Sequence, residues 1–330
     1  MRKIMYALLC ALSVPAMAVI QGDANSSAGL ESVVSIGYFK AMGRNDGEPY
    51  LVFQTECTGT LIDKDKVLTS ADCAERRPYA FDEIPGKYIF SATKNRSGER
   101  ISKRIKTFDI DTFLNDSNEL GISVRRVTTS AINPDYDPNS FVIGSGNPGN
   151  LAILTLQSPL EGISPMPLAT AEQLDMYENM FLPELKFAGF GFKREGLRPN
   201  KLSTANLLVY PRDACDLRGE IINTVDTRVQ FSSIGNSQLC TDNAPVRLCD
   251  GDLGGPLLIQ TSVGKFALAG VAGTRFHADL GTNELGGKSS YACITVNLRP
   301  DPHKVGEAIS IFEKPLSYAD WVEANTSLTF

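Results

Sequence analysis

The chain has 330 residues, enough for one large domain or two small ones, with 42% hydrophobic and 21% charged residues. That balance describes an ordinary globular protein. Its net charge of −6 provides no basic face of the kind phosphate contacts require, so nucleic acid is excluded as an expected partner.

In chain order, Arg2 and Lys3 precede an apolar stretch over residues 4–15, and Ala16-Met17-Ala18 has the small residues of a cleavage site. Residues 1–18 are therefore expected to be a signal peptide of bacterial type, cleaved after Ala18. The stretch is too short to span a membrane, and no later segment is apolar enough to do so. A secreted or periplasmic protein is expected. Its removal takes two basic residues and no acidic ones, which lowers the net charge from −6 to −8.

Short apolar runs follow. Leu51-Val52-Phe53, Gly59-Thr60-Leu61-Ile62, Lys66-Val67-Leu68-Thr69, Leu151-Ala152-Ile153-Leu154-Thr155-Leu156 and Phe266-Ala267-Leu268-Ala269-Gly270-Val271 are each bounded by Gly, Asp, Asn or Pro. Such spacing predicts an all-β barrel or sandwich, not βαβ units. Between these runs, residues 94–119 place six basic residues, with Glu99 among them, ahead of Asp109, Asp111, Asp116 and Glu119, which predicts a solvated insertion whose halves attract each other. Residues 156–171 hold three prolines and read as a connector between two halves. Helical signals are few: one over 171–180, and one at the end, where Ser317 is placed to cap Tyr318-Ala319-Asp320-Trp321-Val322.

Without Cys10 of the signal, six cysteines remain: Cys57, Cys73, Cys215, Cys240, Cys249 and Cys293. An even number in an oxidising compartment reads as three disulfides, although six cysteines alone allow fifteen pairings. Metal binding is not expected, because no pair has CxxC spacing and the two histidines, His277 and His303, lie far apart. No cofactor is implied.

The most informative run is Cys249-Asp250-Gly251-Asp252-Leu253-Gly254-Gly255-Pro256-Leu257. It resembles the loop that carries the nucleophile in the chymotrypsin/trypsin-like serine proteases (peptidase S1), with leucine at the serine position. Other segments resemble that family in the same order. Val19-Ile20-Gln21-Gly22 is similar to the mature N-terminus and Val33-Val34-Ser35-Ile36 to the first strand. Cys57 to Ile62 and Val67 to Cys73 are similar to the segment bearing the catalytic histidine. Asn150-Leu151-Ala152-Ile153-Leu154 resembles the strand opened by the catalytic aspartate, and Ala188-Gly189-Phe190-Gly191 the opening of the second barrel.

The resemblance implies two six-stranded antiparallel β-barrels, about 19–160 and about 170–314, with a C-terminal helix over about 316–325 and the cleft between the barrels. It also implies the pairings Cys57–Cys73, Cys215–Cys240 and Cys249–Cys293. The Cys249–Cys293 segment is long for the family, with an insertion over 274–290. The histidine position holds Asp72, the aspartate position Asn150 and the serine position Leu253.

A Ser-His-Asp triad needs a hydroxyl to attack, an imidazole to carry its proton and a buried carboxylate to orient the imidazole. Leu253 has no nucleophilic atom. Asp72, with an ordinary carboxyl pKa of about 3.9, is a weak base at neutral pH. Loss of the nucleophile or its base alone costs on the order of 10⁶ in turnover in a serine protease. The expectation is an inactive serine protease homologue, a pseudoprotease that binds a protein or peptide. The alternative is a hydrolase with relocated carboxylate chemistry, using Asp72 with Asp250 to position water. By the same resemblance, Gly251 and Leu253 retain the backbone N–H groups of an oxyanion hole. Asp252 matches the aspartate that pairs with the N-terminal amino group, here that of Val19. Arg247 falls at the floor of the specificity pocket, where its guanidinium would favour an acidic or C-terminal carboxylate.

Overall fold

Apolar runs punctuated by turn residues fold into two six-stranded antiparallel sheets. The computed structural model describes residues 29–42, 50–75, 86–91, 123–140, 142–143, 147–178, 180, 183–191, 202–225, 230–242, 248, 251–278 and 307–330. In the first half, β1 (Val33–Met42), β2 (Tyr50–Asp63), β3 (Lys66–Thr69), β4 (Tyr88–Ser91), β5 (Ser123–Ile132), the two-residue β6 (Val142–Ile143) and β7 (Ala152–Leu156) follow in sequence. Six of them close a barrel in the order β1-β2-β3-β7-β5-β4, with β4 returning to β1. The second half supplies β8 (Glu184–Gly189), β9 (Ser203–Tyr210), β10 (Gln230–Phe231), β11 (Gln238–Asp242), β12 (Pro256–Ser262), β13 (Lys265–Ala278) and β14 (Glu307–Glu313). Its barrel runs β11-β14-β13-β12-β8-β9, with β9 closing on β11. The short β6 and β10 pair parallel, joining a first-half loop to the second half.

Each barrel has its own core. Val34, Ile36, Leu61, Val67, Ile89 and Leu154 fill the first; Leu185, Phe187, Leu207, Leu257, Ala269 and Phe312 fill the second. A third cluster lies between them, drawing Val33, Leu68 and Ile153 from one barrel and Ala188, Leu258 and Val271 from the other. Val322 of the C-terminal helix joins this seam, so the helix closes the junction and does not cap one barrel alone. The proline-rich connector is stitched to both sides. Met166 N–H donates to Leu61 O at 2.8 Å, and Leu268 N–H donates to Pro167 O at 2.9 Å.

The helices depart from the sequence expectations in instructive ways. α1 (Ala71–Glu75) is a single short turn. The segment expected over 171–180 is helical as α2 (Ala171–Glu178), started by a reciprocal cap: Gln173 N–H donates to Thr170 Oγ1 at 3.2 Å, and Thr170 N–H to Gln173 Oε1 at 3.0 Å. α3 (Arg212–Val225) was not expected. Among residues 212–220 it buries Cys215 and Gly219, while Leu217 faces solvent. At the C-terminus, Ser317 is not the cap. It lies inside a 3-10 turn, Pro315–Tyr318, and α4 (Ala319–Asn325) begins behind Tyr318 without a side-chain cap. No helix among the described residues is long and apolar enough to cross a membrane.

Two of the expected disulfides are formed. Cys57–Cys73 ties β2 to α1, and Cys215–Cys240 ties α3 to β11. Residues 249 and 293 lie outside the described residues, as do 1–18 and the insertion over 94–119. Within the segment 274–290 expected as an insertion, Thr274 to Ala278 continue β13, paired with β14. Residues 279–290 lie outside the described residues.

The Cys215–Cys240 bridge anchors α3 to β11. Replacing both cysteines by serine is expected to lower the unfolding free energy by about 2–4 kcal/mol. Urea denaturation of oxidised protein checks this; an unchanged midpoint would show that α3 is held without the bridge.

Candidate site at the junction of the two barrels

Asp72 sits in the first turn of α1, where backbone N–H groups lack partners within the helix. The Asn150 side chain supplies one. Its Oδ1 accepts from the Asp72 N–H at 3.3 Å, while its Nδ2 donates to Asp72 Oδ2 at 2.9 Å and to Gly273 O at 2.9 Å. Both ends of one amide are thus used, and Asn150 is 3% exposed. Gly273 presents its carbonyl because β13 is irregular there, with a register shift between Ala272 and Thr274.

The second carboxylate oxygen of Asp72 is also taken. Tyr136 Oη donates to Asp72 Oδ1 at 2.6 Å. A turn aims that ring: Asn133 O accepts from Tyr136 N–H at 3.2 Å, and Asn133 Oδ1 accepts from Asp135 N–H at 3.0 Å, with Pro134 between them. Burial, and then the hydrogen bond to Asp72 and its charge, raise the Tyr136 hydroxyl above its ordinary value, so it remains a donor at neutral pH. Neither Tyr136 nor Gly273 was anticipated from the sequence. The Asn-Pro-Asp turn was a legible local signal, but its target lies 64 residues away in the chain.

Leu253 approaches from the second half. Its side chain is 8% exposed and joins the first-barrel cluster that contains the Cys57–Cys73 disulfide. Burial of such a side chain contributes about 1.5–3 kcal/mol. The loop around it is fixed by backbone bonds: Gly254 N–H to Ala272 O at 2.8 Å, Ala272 N–H to Gly255 O at 2.9 Å, and Thr58 N–H to Leu253 O at 2.9 Å. Gly254 adopts φ 78°, and a Cβ there would collide with Thr69 Oγ1 and the Thr58 carbonyl, so only glycine fits. Thr58 Oγ1 also donates to Gly251 O at 2.7 Å. Among the described residues, the N–H groups of Gly251 and Leu253 find no acceptor.

Asp252 is 1% exposed, and its Oδ1 accepts from Gly191 N–H at 2.7 Å. Its carboxylate lies so close to Gly189 and Gly191 that a side chain at either would displace it. Asp72, Asn150 and Leu253 therefore gather at one junction, with Gly251 and Asp252 beside them. Val19, Arg247 and Asp250 lie outside the described residues.

A family model described as Trypsin matches residues 37–282, about three quarters of the chain. The chain belongs to the trypsin family.

The amide at position 150 suits the carboxylate at position 72. An aspartate at 150 would set two carboxylates face to face and turn a second carboxylate oxygen toward Gly273 O. Asn150→Asp is expected to destabilise the protein by about 1–3 kcal/mol at pH 7, the cost of buried polar groups left without donors. Adding Asp72→His in the same chain is expected to recover part of that loss. Urea unfolding of the four variants measures the coupling; strictly additive effects would show that the two positions do not interact.

Proposed function

We propose that this trypsin-family chain is an exported, non-catalytic homologue that binds a protein or peptide through the cleft between its barrels or the loops around it. The observation that carries this reading is the content of the junction. Leu253 offers hydrocarbon where acyl-enzyme chemistry requires a nucleophilic oxygen, and it is packed into the first-barrel cluster. Asp72 has both carboxylate oxygens held by protein donors, Tyr136 and Asn150, so it is oriented by the fold and not poised as a free base. Two features support a binding surface. The N–H groups of Gly251 and Leu253 remain open to a carbonyl or carboxylate oxygen, and the loop that carries them is rigidly bonded to β13 and Thr58. The two disulfides suit an oxidising compartment.

Purified mature protein is expected to leave a broad quenched-peptide library intact. The Asp72→His, Asn150→Asp, Leu253→Ser variant, which restores the full set of triad residue types, is expected to gain measurable hydrolysis. Turnover by the natural protein, abolished by Asp72→Asn, would overturn the reading and favour carboxylate chemistry.

The reading includes export with cleavage after Ala18, which makes the Val19 amino group the counter-charge of buried Asp252. A carboxylate at 1% exposure without a counter-charge typically costs about 3–5 kcal/mol. Intact-mass measurement of exported, folded protein is expected to give Val19 as the first residue. A folded product that retains residues upstream of Val19 would refute the pairing.

A further inference from the structure

Glu313, the last residue of β14, is 2% exposed and takes no part in the junction chemistry described above. Three donors converge on it from three directions. Gln238 Nε2, its ladder partner on β11, donates to Oε1 at 2.7 Å. Gly149 N–H donates to Oε2 at 3.2 Å, and Tyr318 Oη to the same oxygen at 3.1 Å. Gly149 immediately precedes Asn150 and adopts φ 76°, a conformation that an L side chain resists. On its other flank, Gly273, which accepts from Asn150, packs near Glu313: a Cβ at Gly273 would lie 3.5 Å from Asn150 Cβ and 3.7 Å from Glu313 Cγ.

We propose that Glu313 is a proton-operated support for the Asp72–Asn150 pair, holding the Gly149 backbone firmly when ionised and loosening its grip when protonated. The chemistry is local. A carboxylate oxygen accepts from both Gly149 N–H and Tyr318 Oη. A proton taken up from solvent on Oε2 turns that oxygen into a donor. Tyr318 Oη can accept from it, while the Gly149 N–H is left facing neutral hydroxyl oxygens, weaker acceptors than a carboxylate. The peptide ahead of Asn150 is then held less firmly where it sets the position of the Asn150 amide.

The surroundings place this change in a useful range. Burial pushes the Glu313 carboxyl up from 4.5 to about 7, against the lowering effect of its three donors. The groups facing it are Gln238 from β11, Val271 from β13, Gly149 and Asn150 from the segment leading into β7, and Tyr318 from the 3-10 turn. Of these only Tyr318 titrates, and burial together with the Glu313 charge raises its hydroxyl above the ordinary value. Lys314, next in the chain, directs its ammonium away to Glu178 at 2.7 Å. Asp72 and Tyr136 stand beyond Asn150.

The sign follows from the raised value. The folded protein holds a proton in the window where the unfolded chain has lost it, so the stabilising contribution is full below about pH 4.5 and falls until about pH 7. Relative to Glu313→Gln, the unfolding equilibrium constant of the natural protein is expected to rise on the order of 10²-fold across that window, at tenfold per pKa unit. In the folded natural protein, the Gly149 amide and the Asn150 side-chain NH₂ resonances are expected to shift together with one midpoint near neutrality. A flat stability ratio would overturn the proposal, as would a Gly149 titration that leaves the Asn150 amide unmoved. If Glu313→Gln does not fold, the resonance titration of the natural protein decides alone. No ligand enters the experiment, so its outcome is independent of whether the cleft binds peptide.

Discussion

The two barrels are joined through one buried threonine. Thr58 on β2 donates its N–H to Leu253 O and its hydroxyl to Gly251 O; that same hydroxyl accepts from Phe190 N–H at 2.9 Å, and its carbonyl accepts from Thr69 Oγ1 at 2.8 Å. Every polar atom of a fully buried residue is thus used, and three of the four bonds cross from the first half to the second. A network in which all members are satisfied fixes geometry far more sharply than apolar packing alone. The position of the 251–255 loop, and with it Leu253 and Asp252, follows from this contact.

The residues at the junction fit one another closely. An amide at 150 completes the orphaned N–H of Asp72, takes one of its carboxylate oxygens and still reaches the Gly273 carbonyl. A leucine at 253 turns a loop residue into part of the first-barrel core. Hydrocarbon packing and hydrogen bonding both gain from this set.

Much of this was legible in the sequence. Turn-bounded apolar runs announced strands, the proline-rich segment announced a connector, and the ordered likeness to one family located Asp72, Asn150 and Leu253. What escaped did so for physical reasons. Tyr136 and Gly273 act through contacts far apart in sequence, and no periodicity marks them. α3 is tied to β11 by a disulfide, a link that its local sequence does not announce. Glu313 reads as an ordinary charged residue ending a strand; only the fold reveals that Gln238, Gly149 and Tyr318 enclose it.

The order of strands in the second barrel also constrains how the protein is made. β14 lies between β11 and β13, yet it is the last strand in sequence among the described residues. Until residues 307–313 have emerged, β11 and β13 each present an unpaired edge, a template for misassociation. The first barrel has all its strands by Leu156. On a growing chain the second barrel cannot close until that strand arrives to fill the gap between β11 and β13.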